Sequence, residues 1–195
     1  MTIRFTVRQH RQQMRSRFGA RGCLAFAACF VVAAAKLAAG QSAKPRTVMC
    51  TAPEHKQFDF WLGDWDVYRR GGSPAPVART RVEPMVEGCA IREVYRRNDG
   101  YLGESFSMYD ATRATWHQSW VTNEGELLIV EGGLQNGRMI LQGATVGADH
   151  RPSLVRGTWS KESEGVREVA ETSSDSGVTW KPLFDLLFRR HPPKP

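Results

Sequence analysis

The chain has 195 residues, with 27 Lys and Arg against 20 Asp and Glu, for a formal net charge of +7. Residues 1–40 hold seven of the basic residues and no acid, so the remainder carries 20 of each sign. The high pI therefore belongs to the N-terminal segment and is no evidence for nucleic-acid or membrane binding.

That segment reads as a secretory signal. Arg4, Arg8, Arg11, Arg15, Arg17 and Arg21 precede an apolar run of thirteen residues, Cys23 to Ala35. Ala38-Ala39-Gly40 then supplies small residues for cleavage after Gly40. The run is shorter than the roughly 20 residues of a spanning helix, and a retained N-terminal anchor is the alternative. Met14 could also start a shorter leader. Removal of residues 1–40 takes Cys23 and Cys29 away and leaves Cys50 and Cys89 in an oxidising compartment. One disulfide between them is expected, the alternative being two buried thiols.

Residues 41–57 mix Ser, Lys, Pro and Arg without period and read as a linker. Pro53-Glu54-His55-Lys56-Gln57 can begin one helical turn, with Pro near its start. Residues 58–191 form one domain, and 192–195 a tail. The domain opens on Phe58-Asp59-Phe60-Trp61-Leu62-Gly63-Asp64-Trp65, where Gly63 releases the backbone into an alternating strand. Such a Gly before a Trp suits the closed end of a barrel, with the Trp65 ring as a plug.

Beyond Asp64 no stretch keeps a helical period for three turns. Strands are predicted near 64–70, 77–86, 89–97, 102–109, 115–122, 126–132, 138–146, 153–161, 165–173 and 178–189. Asn98-Asp99-Gly100, Glu124-Gly125, Asn136-Gly137 and Glu164-Gly165 supply the positive φ of tight hairpins. Pro84 argues for a bulge or bend in the second strand. About ten antiparallel strands joined in a meander remove their edges by closing, so the fold class is an all-β, up-and-down barrel. Ser173-Ser174-Asp175-Ser176-Gly177-Val178-Thr179-Trp180 fits the S-x-D-x-G-x-T-W pattern of an Asp box and reads as a hairpin lock. In it Asp175 accepts backbone N–H bonds, Gly177 takes the left-handed position and Trp180 packs beneath.

These motifs carry a resemblance. Gly63-Asp64-Trp65 is similar to the G-x-W of calycins: lipocalins, fatty-acid-binding proteins and nitrobindins. In lipocalins a late Arg covers that tryptophan, which implies a structural role for Arg189 or Arg190. More specifically, the chain resembles an uncharacterised bacterial family, the domain of unknown function numbered fifteen-seventy-nine. The matching features are Phe58 to Trp65, Gly88-Cys89 followed by Glu93, Tyr109-Asp110, Trp116-His117-Gln118-Ser119-Trp120, Thr179-Trp180 and Phe184-Asp185. The family implies a secreted, lipocalin-like barrel and no established activity.

Candidate site residues follow from alternation. Trp116, Gln118 and Trp120 share one face of a strand, opposite His117 and Ser119. Ile91, Glu93 and Tyr95 share another, and Phe106 and Met108 a third. With the bulky sets inward, Glu93, Tyr95 and Gln118 become polar anchors of an aromatic cavity holding a small apolar or aromatic ligand. The competing reading is a structural or partner-binding envelope protein whose barrel is filled, with Glu93 paired to Arg81 or Arg92. A third reading makes Glu93 the acid/base of a barrel enzyme of isomerase or cyclase type. No G-x-S-x-G elbow, phosphate loop, metal-ligand spacing or haem-ligating His in a late strand is present, so no cofactor is expected.

Overall fold

The structure, a computed structural model, describes residues 50–147 and 149–193. The expected signal segment lies outside the described residues. Ten strands follow one another: β1 (Gly63–Arg69), β2 (Ala78–Met85), β3 (Ala90–Arg97), β4 (Leu102–Asp110), β5 (Thr115–Thr122), β6 (Leu127–Gln135), β7 (Arg138–Val146), β8 (Pro152–Glu162), β9 (Gly165–Ser173) and β10 (Lys181–Arg190). Each pairs antiparallel with its sequence neighbours, and β1 pairs with β10, so the sheet closes into an up-and-down barrel. Closure leaves no edge strand.

The strands arise where the sequence alternates, and the turns where it offers positive φ. Asn136 and Gly137 both have φ > 0 and join β6 to β7, as a two-residue hairpin with right-handed twist requires. β6 runs three residues further than its predicted end, through Gly132 and Gly133. A Cβ on Gly132 would collide with the Ile140 carbonyl, so this glycine marks a close strand approach rather than a stop. β10 starts three residues later than predicted, because residues 173–180 are taken up by the Asp-box turn. There the Asp175 carboxylate accepts from the Thr179 N–H at 2.9 Å and from the Ser173 hydroxyl at 2.7 Å. The Trp180 indole donates to the Gly177 carbonyl at 3.1 Å. Pro84 makes no bulge: β2 and β3 stay in register through Pro84↔Ile91. The β1 partner ends at Val82, so Pro84 occupies a locally unpaired margin where its missing N–H costs little. The register shift of this sheet lies instead in β10, between Pro182 and Phe184.

One end of the barrel is plugged. Two 3₁₀ turns, Pro53–Lys56 and Asp59–Trp61, precede β1. They carry Phe58 and Trp61 into the barrel base. Phe58 stacks on Trp61 at 5.0 Å and meets Trp116 and Trp159 edge-on at 5.7 and 5.4 Å. Trp61 in turn meets Phe188. Trp65 lies beneath, its indole N–H donating to the Trp61 carbonyl at 2.9 Å. Its ring is covered by the Arg190 guanidinium at 3.9 Å. The covering arginine is therefore Arg190, not Arg189. Alternation decides it: Phe188 points inward, so Arg190 shares its side, while Arg189 turns out to Tyr68 and Glu164. Gly63 stands at positive φ (154°), and a Cβ there would run into Arg190, so glycine is required at this corner.

A Cys50–Cys89 disulfide spans 39 residues. It ties the chain ahead of the first 3₁₀ turn to the start of β3, which straps the plug across the barrel base.

Candidate functional site

The other end is open, and a cavity of about 440 Å³ runs from it into the barrel. The strand ends at Arg69, Arg97 and Leu183 stand at its mouth, with Tyr101, Glu124 and Glu126 on the adjoining turns. Deeper, the wall is Tyr95, Trp120, Leu128, Val130, Val155, Trp159, Phe184 and Leu186. Two glycines make room for the indoles: a Cβ on Gly103 would strike Trp120, and one on Gly157 would strike Trp159.

The polar floor is acidic. Glu93, 5% exposed, points inward from β3 as its alternation with Ile91 and Tyr95 demands. The Thr80 hydroxyl donates to it at 3.0 Å and the Ser105 hydroxyl at 3.2 Å. The arginines that could have neutralised it are engaged outside the barrel, Arg81 with Glu83 and Arg92 with Glu104. Glu93 is thus a buried carboxyl held by hydroxyls, not a member of an ion pair. Burial pushes its pKa up to about 7, against the opposing pull of the two hydroxyl donors.

A second carboxyl, Glu168 of β9, faces the same cavity. Its pKa is raised well above the usual carboxylate range by burial first and by the Glu93 charge second. The Trp159 indole N–H acts in the opposite direction, but it completes no hydrogen bond of good geometry. Tyr95 lies near both acids, and burial together with their charge pushes its phenol up to about 12. Gln118 donates from its amide to the Ser107 hydroxyl at 2.9 Å.

Of the residues singled out from the sequence, Glu93, Tyr95, Gln118 and Trp120 meet in the cavity. Three do not. Phe106 and Met108 are 40% and 44% exposed and point outward. The inward face of β4 is Gly103, Ser105 and Ser107, because the small set leaves space for Trp120 and supplies hydroxyls to Glu93 and Gln118. Trp116 does point inward, but into the plug, where it meets Phe58 and donates to Gln57 at 3.1 Å. Glu168, Trp159, Thr80 and the two serines were not picked out from the sequence. For Glu168 the available signal was its parity with Val166 and Ala170 on an otherwise apolar face of β9.

His117 projects from the outer face to Glu131 at 3.0 Å, so it cannot assist Glu93. Among the described residues no group of three His, Cys, Asp or Glu could hold a metal ion, and no helix is long and apolar enough to cross a membrane. No family model matches the chain, and no similar sequence is found among curated proteins.

Proposed function

We propose that this protein is an exported, calycin-like barrel that binds a small, largely apolar or aromatic molecule in its interior. The observation that carries the reading is the open cavity of about 440 Å³ with an aromatic wall. It falls within the roughly 300–1,000 Å³ of small-molecule sites. Export is supported by the Cys50–Cys89 disulfide, a bond kept in oxidising compartments, and by the basic, apolar and small-residue leader. Membership of the domain family numbered fifteen-seventy-nine is part of the proposal, resting on the motifs at Phe58–Trp65, Gly88-Cys89 and Trp116–Trp120. A second reading, a barrel enzyme with Glu93 as acid/base, is favoured by the placement of that carboxyl near neutrality.

Titration with N-phenyl-1-naphthylamine, a neutral aromatic fluorophore, tests the binding reading. Its emission should rise and shift to the blue with one site per chain, and native mass spectrometry of protein from its own host should show a retained small molecule. Absence of both would sink the proposal.

A further inference from the structure

Inside the cavity the charges are unbalanced. Glu93 and Glu168 face it from β3 and β9, four strand steps apart round the barrel. The cationic side chains lining it, Arg69 and Arg97, stand at strand ends by the mouth. Arg97 is moreover bound to Asp99 and laid over the Tyr101 ring. Two carboxyls, Glu93 buried and Glu168 partly exposed, thus face one cavity without a counterion beside them, which disfavours double ionisation.

We propose that the cavity takes a protonated amine, its ammonium seated between Glu93 and Glu168 and its apolar or aromatic body against Trp120, Trp159 and Phe184. This rests on the ligand-binding reading above and narrows it to a chemical class. The remaining polar atoms agree. The Gln118 amide nitrogen is engaged with Ser107, which leaves the amide oxygen of a nearly fully buried side chain free to accept from the ligand. The indole N–H of Trp159, a residue 4% exposed, is buried and has no hydrogen-bond partner. Trp159 sits opposite Glu168 across β8 and β9, and an ionised Glu168 would be the stronger acceptor for this unpartnered donor. Aromatic walls also suit a cation, which is attracted to an aromatic ring face. An anionic ligand would instead add a third acidic group to a pair that already disfavours double ionisation.

Three probes of equal shape test this by displacing N-phenyl-1-naphthylamine at pH 7: 4-phenylbutylamine, 4-phenylbutan-1-ol and 4-phenylbutyrate. The amine should compete at a concentration about tenfold or more below the alcohol, the size of effect expected of charge-assisted hydrogen bonds, with the carboxylate weakest. Glu93→Gln and Glu168→Gln should each shrink the preference for the amine. Each variant's binding of the fluorophore reports that it is folded, and the wild-type ranking alone decides if a variant does not fold. Calorimetry of the amine in two buffers of different ionisation heat should show proton release. The other ionisable groups facing the cavity are Tyr95 within and Arg69, Arg97, Tyr101, Glu124 and Glu126 at the mouth. The two glutamine variants assign the released proton to the inner acids. If the alcohol equals or beats the amine while the fluorophore binds, the amine inference falls and the cavity reading survives. If the fluorophore does not bind and no host molecule is retained, both fall; if a retained host molecule carries no basic nitrogen, the amine inference alone falls.

Discussion

At the closed end of the barrel, Phe58, Trp61, Trp65, Trp116 and Phe188 fill the space ring against ring. In the open half, Tyr95 and Trp120 line the space without filling it, Trp159 stands at the boundary with its other side on Phe58, and two carboxyls face the same space. In the plug the buried Trp61 indole N–H has no protein hydrogen-bond partner, a loss of about 1–3 kcal/mol that the surrounding ring packing must outweigh. The cavity half makes the opposite trade: it forgoes packing in order to keep acids that a filled barrel would have no reason to bury. One end carries stability and the other keeps room.

Breaking the plug should therefore cost most. Trp65→Ala removes a ring that is 2% exposed, takes away the cover partner of Arg190, and is expected to cost about 3–5 kcal/mol in chemical denaturation. An unchanged midpoint would show that the ring is not part of the plug's packing. Opening the strap comes next: replacing both Cys50 and Cys89 with Ser frees a loop spanning 39 residues, and the chain-entropy treatment gives a loss of about 4 kcal/mol. A wild-type melting point indifferent to reductant would contradict it.

The cavity half should respond with the other sign. Glu93 has its pKa raised from 4.5 to about 7 on folding. The protonated form is the one the fold favours, so its contribution is fully present below about pH 4.5 and is lost as pH rises through about 7. Glu93→Gln keeps one acceptor oxygen for Thr80 or Ser105, presents its NH2 to the other hydroxyl oxygen as a protonated carboxyl presents its O–H, and removes the charge. It should be close to neutral at pH 4.5 and more stable than wild type by on the order of 2–3 kcal/mol at pH 8. Melting curves across that range check the sign, and a destabilisation growing with pH would mean a buried cation after all. Smallest of all, Phe106→Ser on the outer face should move stability by under about 0.5 kcal/mol and leave fluorophore binding unchanged. A weakened site would return Phe106 to the interior.

The barrel was legible because its signals are local. Alternation and turns such as Asn136-Gly137 fix strand ends without reference to distant residues, and the errors fall where a local rule was overridden. Pro84 sits at an unpaired margin that only the length of β1 reveals. The site was half legible. β3 and β5 read correctly because their inward residues are bulky or unmistakably polar. β4 misleads because bulk does not imply burial: Phe106 and Met108 are larger than Ser105 and Ser107, yet the inner wall needs small residues where the Trp120 ring and the Glu93 carboxyl already occupy the space. Trp116 and Trp120 share a face, but they lie on opposite sides of the boundary between plug and cavity, and depth along a strand is invisible to period. Glu168 could be coupled to Glu93 only once the barrel was closed.

The β1–β10 seam has a consequence for synthesis. His191 and Asp66, bonded at the base, are 125 residues apart, and every other strand pairing joins sequence neighbours. A nascent chain can zip hairpin onto hairpin as it emerges, but the seam waits for the last strand. Until Arg190 arrives, Trp65 has no cover, and β1 and the newest strand offer raw backbone edges to any other unfinished copy. The interval between synthesis of β9 and docking of β10 is thus the vulnerable moment in this protein's life, and a chain cut short before or within Lys181–Arg190 would present an open sheet prone to pairing with its own kind.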